Sequence, residues 1–225
     1  MKNNKTVKKS LIHLALVVLI LVLVGITDFL SFGYWIKTAI KITLFLLLPV
    51  LLLKVEDKTV DFKLKTTKKT TSISLAIGFI LIVSIIGGYF LIRNWIDLSN
   101  IPQALEQNFG FNKHNFWPAF FYIPIVNAFL EEFFFRNYIH HVAKTFKKWT
   151  VIFLSAALFA VYHVSILNNW ANLWVIVGAI IGLFAVGVFF SYIRSKTKSM
   201  LPTYIMHGFA NIGINIVALI VLGII

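Results

Sequence analysis

The feature that most constrains this chain is a series of apolar blocks, each about 17 to 25 residues long, separated by short polar segments. A helix of that length covers roughly 30 Å of hydrocarbon. Of the 225 residues, 59% are hydrophobic and only 13% are charged. That is too little charge for the surface of a water-soluble domain. The sequence therefore predicts an all-α fold, a polytopic bundle of transmembrane helices.

Seven spans are predicted, within a range of six to eight. They lie at about 11–30, 36–53, 73–92, 116–139, 149–166, 172–193 and 200–222. The run from Leu11 lacks a small-x-small cleavage site and is predicted to be an uncleaved first span. We expect one membrane domain over 1–225, in which residues 1–114 form the N-terminal spans and a basic loop, and residues 115–215 form a catalytic core.

Basic residues are concentrated at the N-terminus and in every second gap between spans. We interpret the formal charge of +13 as membrane orientation, not as a nucleic-acid-binding surface, because no gap forms a folded basic and aromatic module. The basic segments are predicted to be cytoplasmic, which places the N-terminus inside. They hold Lys2, Lys5, Lys8 and Lys9, then Lys54, Lys58, Lys63, Lys65, Lys68 and Lys69, then Lys144, Lys147 and Lys148, then Arg194, Lys196 and Lys198.

The other gaps, at 31–35, 93–115 and 166–171, are nearly free of basic residues and are predicted to face outward. Segment 93–115 is predicted to include an interfacial helix. Segment 54–72 is predicted to be a mobile basic loop against anionic headgroups. The expected location is the cytoplasmic membrane of a bacterium, with the lipid bilayer as the chain's constant partner.

The fourth block holds two adjacent carboxylates and an arginine, which are costly at bilayer depth. Glu132 and Arg136 are four residues apart, so we expect them to form an ion pair on one helical face. Glu131 points about 100° away from this pair, towards the face of Asn127, and is predicted to be the free reactive carboxylate. The alternative is a charge cluster that snorkels to the cytoplasmic surface.

Two further blocks contribute imidazoles. His163 follows Phe159 by four residues in the fifth block; alone, such a residue is more often a packed histidine than a catalyst. In the seventh block, His207 and Asn211 lie on one face, which Asn215 continues. The alternative for this helix is hydrogen bonding between helices by polar side chains.

Together the three blocks supply a carboxylate, two imidazoles and an amide, which are the groups needed to activate a water molecule and stabilise an oxyanion. Whether the three groups lie at the same depth in the membrane is left open. Glu131 and His207 lie roughly 12 Å and 10 Å from the cytoplasmic ends of their predicted spans, but His163 lies roughly 21 Å from the start of its span. Helices four and five must extend beyond the bilayer, or tilt, for His163 to join the others.

These motifs resemble the CPBP family of CAAX prenyl proteases and bacteriocin-processing enzymes, also called the type II CAAX endopeptidase or Abi family. Glu-Glu-x-x-x-Arg is matched by Glu131, Glu132 and Arg136. Phe-x-x-x-His is matched by Phe159 and His163, and His-x-x-x-Asn by His207 and Asn211. The resemblance covers about residues 115–215.

The resemblance implies an intramembrane endopeptidase whose site opens to the cytoplasm. It implies that Glu131 and His163 activate the hydrolytic water and that His207 and Asn211 hold the oxyanion. Glu132, Arg136, Phe159, Asn127 and Asn215 are expected to support the site.

The need for a divalent metal such as zinc is left open. The chain has no cysteine, so the candidate ligands are Glu131, His163 and His207. The expected substrate is a membrane-associated peptide or protein: a prenylated tail, a leader peptide or a bacteriocin precursor. Oligomeric state is left open. The alternatives are a non-proteolytic regulator or bacteriocin-immunity scaffold, and a proton-coupled transporter.

Overall fold

The computed structural model describes residues 4–30, 32–56, 61–167 and 173–225, without the side chain of Phe29. The predictions for Lys2, Ser31, Lys58 and residues 168–171 lie outside the described residues. Across the described ranges the secondary structure is entirely helical. The helices are α1 (Asn4–Phe29), α2 (Tyr34–Val55), α3 (Lys68–Ile92), α4 (Ile101–Phe109), α5 (Trp117–Val142), α6 (Lys148–Ile166), α7 (Leu173–Thr197) and α8 (Leu201–Val221).

Seven of these helices, all but α4, are long and apolar enough to cross a membrane within the described part of the chain. The predicted all-α bundle and its seven spans are confirmed. The cytoplasmic placement of the N-terminus stays a prediction.

Two spans contain π-helical turns. They lie at Thr43–Leu47 in α2, and at Ile123–Asn127 and Glu132–Tyr138 in α5. Such wider turns change the register of the side chains that follow and are frequent at functional sites. The two turns of α5 flank Glu131, so the sequence-based rotation of 100° per residue does not hold along this helix.

Glycines allow two pairs of spans to approach closely. In α3 and α8, a Cβ added at Gly213 would lie 3.2 Å from the backbone of Ile82. In α6 and α7, a Cβ added at Gly187 would lie 3.1 Å from the backbone of Ala156. Small residues at such crossings are the usual basis of helix packing in membranes. The α3–α8 and α6–α7 pairs stand beside α5, which supplies the core.

The core of α5 is aromatic. Phe133, Phe134 and Phe135 are fully buried, and the ring of Phe134 stacks on Phe45 of α2 with 4.3 Å between centroids. Aromatic side chains bury the largest area per residue. This packing fixes the rotation of α5 and hence the directions of its charged side chains.

One end of the bundle, which we call the basic end, carries the lysine-rich segments. The Thr145 hydroxyl donates to Ser10 of α1 at 2.9 Å, which brings the start of α1 to this end. The predicted mobile loop is more ordered here than expected. Asn137 donates to the Asp61 carbonyl at 2.8 Å, the Ser199 hydroxyl donates to the Lys63 carbonyl at 2.7 Å, and α3 begins at Lys68.

The other end, which we call the opposite end, joins α1, α2, α4 and α6. The Ser165 hydroxyl donates to the Asp28 carboxylate at 2.7 Å. The Lys37 ammonium donates to the backbone carbonyls of Asp28 and Asn108, at 3.0 Å and 2.9 Å. Helix α4 lies in the segment where an interfacial helix was predicted, and it buries Leu105 against the protein.

Candidate active site

Glu131 lies at the centre of a polar cluster inside the bundle and is only 2% exposed. Its Oε1 accepts a hydrogen bond from the Lys41 ammonium at 2.7 Å and one from the Asn127 amide at 2.9 Å. Lys41 also donates to Asn127 Oδ1 at 2.6 Å. The predicted alignment of Glu131 with Asn127 is therefore present, but Glu131 is ion-paired and not free.

The second oxygen of Glu131, Oε2, has no hydrogen-bond partner among the described residues. Two imidazole nitrogens face it: His207 Nε2 at 3.5 Å and His163 Nε2 at 4.0 Å. The three chain segments carrying the sequence motifs therefore meet at one carboxylate oxygen. Glu131, His163 and His207 thus come together despite their different predicted depths.

The longer helices explain how His163 reaches this point. At the basic end α5 continues to Val142, beyond the predicted end at 139, and α6 begins at Lys148. At 1.5 Å per residue His163 lies about 22 Å along α6 from its start. Since it still contacts Glu131, α6 must start farther towards the basic end than α8 does.

Phe159 determines which nitrogen of His163 faces the site. The Nδ1 of His163 lies 2.8 Å from the Phe159 carbonyl. A carbonyl can only accept, so Nδ1 carries the proton, and in the neutral ring Nε2 presents its lone pair to Glu131. The Phe159 ring also packs against the His163 ring, with 4.5 Å between centroids.

Glu132 has a larger role than the predicted pair with Arg136. Its Oε1 lies 3.0 Å from His207 Nδ1 and 3.5 Å from Arg136 Nη1. The two adjacent glutamates therefore contact opposite nitrogens of the same imidazole. Glu132 orients His207, as carboxylates commonly orient functional histidines.

Arg136 is fully buried, which rules out the snorkelling alternative for this cluster in the folded chain. Its three side-chain nitrogens have no hydrogen-bond partner among the described residues. Instead, the guanidinium lies over the Phe159 ring at 4.2 Å, with Phe190 at 5.6 Å and Phe135 at 5.9 Å. Cation–π contacts and the Glu132 carboxylate compensate its charge.

Asn211 and Asn215 hold α8 against α5. The Asn211 amide donates to the Ile123 carbonyl at 3.3 Å, and the Asn215 amide donates to the Phe120 carbonyl at 3.0 Å. Hydrogen bonding between helices, the alternative for this face of α8, is therefore present. The Asn211 amide has a second N–H, and its side chain lines the cavity beside His207.

The cluster lines a cavity of about 520 Å³. Apolar side chains from α3, α7 and α8 form much of its wall, including Leu81, Ile85, Leu183, Val186 and Ile214. Among these, Leu81 and Ile85 of α3 and Leu183 of α7 are half-buried, and Val186 of α7 is exposed on the surface of the bundle. The cavity therefore combines one polar corner with apolar walls next to the lipid-facing side.

The direction of the cavity differs from the expectation drawn from the resemblance. From Glu131 it extends to Asp28, Tyr34 and Phe111, which lie at the opposite end, away from the lysine-rich segments. If the basic end is cytoplasmic, the cavity extends towards the outer side. The predicted charge orientation and the implied cytoplasmic opening are therefore in conflict.

A divalent metal fits this arrangement poorly. Among the described residues no group of three or more acidic or histidine side chains has the arrangement of a metal site. The Lys41 ammonium, 2.7 Å from Glu131, already supplies the positive charge next to that carboxylate. We therefore attribute the chemistry of the cluster to its own side chains.

Sequence reasoning missed Lys41 and Tyr162. Lys41 lies within the second apolar block, where a charged residue is costly and usually functional. Its position in the sequence was therefore enough to mark it as a candidate site residue. The Tyr162 hydroxyl lies 3.4 Å from Glu131 Oε1, and the Lys41 ammonium lies 4.8 Å from the centre of the Tyr162 ring. A tyrosine in an apolar block gives no comparable signal, because it packs as well as a phenylalanine.

Residues 113–213, slightly under half of the chain, match the model of the Rce1-like family, type II CAAX prenyl endopeptidase Rce1-like. The matched segment contains all three motifs, and the match confirms the family resemblance inferred from them. No match was found among curated proteins or among solved structures. At the level of the family, the match supports a CAAX-type intramembrane endopeptidase, and seven apolar helices agree with an integral membrane protein.

Proposed function

We propose that this chain hydrolyses a peptide bond of a membrane-associated peptide or protein, with Glu131 and His163 activating the attacking water. The observation that carries this proposal is the pair of imidazole nitrogens facing the unpartnered Glu131 Oε2, at 3.5 Å and 4.0 Å. A carboxylate and a neutral imidazole at this distance can share one water molecule.

In this mechanism the water contacts Glu131 Oε2 and His163 Nε2. The lone pair of His163 Nε2 accepts a proton from the water, whose oxygen attacks the carbonyl carbon of the scissile bond. The proton then passes to the leaving nitrogen as the C–N bond breaks. Lys41 and Asn127 hold the other oxygen of Glu131, which orients Oε2 towards the water.

His207 and Asn211 are proposed to stabilise the oxyanion. When both ring nitrogens of His207 carry protons, Nδ1 donates to Glu132 and Nε2 is available to the substrate. Glu132 then compensates the positive charge of the ring. The second N–H of Asn211 is the other candidate donor. Preorganised donors of this kind are each worth about 10²–10³ in rate.

The apolar cavity walls support a hydrophobic substrate. A leader peptide, a bacteriocin-related peptide or a prenylated tail would each place apolar groups along Leu183 and Val186 and a peptide bond near Glu131.

The test is the variant Glu131→Gln, purified and reconstituted in vesicles with fluorogenic membrane peptides, one farnesylated and one of leader type. Loss of the carboxylate, which holds the water for proton transfer to His163, is expected to reduce cleavage about 100-fold, the lower end of the contribution of general acid–base catalysis. The matched control is Glu106→Gln, the same change at an exposed position on α4. Full cleavage by a correctly inserted Glu131→Gln variant would disprove the assignment.

A proton-coupled transporter is the main alternative from another class of function. Lys41, Lys37 and Asp28 extend the polar residues from Glu131 to the opposite end. Towards the basic end, however, the next charged groups are Glu132 and the aromatic-enclosed guanidinium of Arg136, which form a buried ion pair. That arrangement supports a site reached from one end. Glu131-dependent proton flux without proteolysis would favour the transporter, whereas a phenotype unaffected by Glu131→Gln would favour a non-catalytic immunity scaffold.

A further inference from the structure

A second cavity lies at the basic end, away from the candidate active site. Its volume is about 420 Å³, and it lies between the end of α2, the end of α5, the start of α6 and the end of α7. Its lining includes the basic residues Lys63, Lys144, Lys148, Arg194 and Lys198 and the acid Asp61. Most of its lining residues belong to the ends of these helices or to the loops that follow them, whereas Phe133 lies deeper, next to Glu132.

The charge of this cavity is strongly positive. Its described lining includes four lysines and one arginine but only one acid, Asp61. Asp61 is already paired with Lys63, whose side-chain and backbone hydrogen bonds lower the pKa of the Asp61 carboxyl below its usual value. Lys144, Lys148, Arg194 and Lys198 therefore face the cavity without a compensating acid in its described lining.

Arg194 shows that the cavity is more than a basic surface. Its side chain is largely buried, since only 8% of the residue is exposed. One guanidinium nitrogen donates weakly to Asn137 at 3.3 Å, but the buried Nε has no hydrogen-bond partner among the described residues. The nearby His140 Nε2 is also buried and without a partner there. Buried polar atoms of this kind cost free energy unless a hydrogen-bond partner is present, and the Arg194 Nε can only donate.

Two segments beside Arg194, the one that precedes α3 and the turn between α7 and α8, each contain a residue with strained backbone. Lys63 and Lys198 have positive φ angles, 51° and 57°, and are the non-glycine residues with that conformation among the described residues. The Lys63 carbonyl accepts bonds from the Ser199 hydroxyl and the Met200 backbone N–H. Strained backbone is concentrated at functional sites. Two such lysines in the lining of one cavity therefore favour a binding site over an ordinary basic surface.

We propose that this cavity binds the phosphate of an anionic phospholipid headgroup. Buried Arg194 would make the charge-assisted hydrogen bonds, and Lys144 and Lys198 at the rim would supply further positive charge. A basic pocket between helix ends on the side of the lysine-rich loops is the typical position of such a site. The inference is independent of proteolysis.

The test measures lipid retention by native mass spectrometry, with the full-length chain extracted from nanodiscs of phosphatidylcholine containing a minor fraction of phosphatidylglycerol. We expect the wild type to retain one phosphatidylglycerol in preference to phosphatidylcholine. The double variant Lys144→Gln/Lys198→Gln changes two exposed side chains and should weaken this retention about fivefold for each lysine. Arg194→Gln should remove it.

The matched control is Lys147→Gln/Lys196→Gln, which removes the same charge from two exposed side chains at the same end but outside the cavity lining. It should change retention less than about twofold, because salt screens exposed charges that do not contact the bound headgroup. Equal losses in the two double variants, or no preference in the wild type, would overturn the proposal. So would inorganic phosphate stabilising the lipid-free protein as strongly as phosphatidylglycerol, because the site would then bind free phosphate.

Discussion

At the residue scale, the site depends on a buried ion pair between Lys41 and Glu131, whose nitrogen and oxygen are 2.7 Å apart. Removing one member leaves an uncompensated charge inside the bundle, which typically costs about 3–5 kcal/mol. Lys41→Met should therefore lower the free energy of unfolding by about that amount. The double variant Lys41→Met/Glu131→Gln should lower it by less than the sum of the single changes, because neither charge remains.

A double-mutant cycle of unfolding in bicelles measures this coupling, and Lys41→Arg tests whether a cation alone is enough. We expect Lys41→Arg to retain part of the cleavage activity that Lys41→Met loses. Strictly additive costs would mean that the ion pair contributes nothing, and Lys41 would then have no part in holding the Glu131 carboxylate.

The site residues that the sequence identified differ in a physical way from Lys41, one of the two that it missed. Glu131, His163 and His207 carry their signal in helical spacing within apolar blocks, and the structure brings them together. Lys41 comes from a span outside the matched segment, and nothing in the sequence indicates that α2 lies beside α5 at that height. Partners between distant spans depend on packing, which hydropathy does not describe.

At the scale of the helices, the position of His207 depends on how closely α8 approaches α5. A Cβ added at Gly208 would lie 2.9 Å from the Pro124 carbonyl oxygen, which belongs to the backbone and cannot turn away. Gly208→Ala should therefore push α8 outward, cost about 1–3 kcal/mol of stability, and reduce cleavage by moving His207 from Glu131.

The control for this prediction is Gly182→Ala in α7, where an added Cβ meets nothing within 4 Å. Cleavage rate and thermal stability should both fall at Gly208, and neither should fall at Gly182, where Ala is also the better helix former. If both variants behave like the wild type, the close approach of α8 to α5 does not position the site.

Helix bounds were predictable to within a few residues, apart from the extra turns at the basic end. The first span begins at Asn4 instead of Leu11, and the third begins at Lys68 instead of residue 73. Hydropathy places a boundary at the first lysines, whereas a helix continues through lysines that can reach the headgroups. The π-helical turns of α5 were not predictable, because hydropathy and residue spacing assume a uniform α-helix.

At the scale of the whole molecule, charge and family resemblance disagree about which side of the membrane the site faces. The lysine-rich segments define the basic end, and the cavity holding Glu131 extends to the opposite end. The positive-inside rule is based on short loops such as these. We therefore expect the opposite end, and the cavity with it, to face outward.

The absence of cysteine makes this directly testable, since any introduced cysteine is the only one in the chain. Lys113→Cys lies at an exposed position between α4 and α5 at the opposite end, and Lys65→Cys lies at an exposed position at the basic end. A membrane-impermeant maleimide should label Lys113→Cys in intact cells and Lys65→Cys only after permeabilisation. The reverse pattern would mean that the cavity faces the cytoplasm, as the family resemblance implies. The lysines would then have to be retained at the basic end for another reason, such as binding anionic lipid.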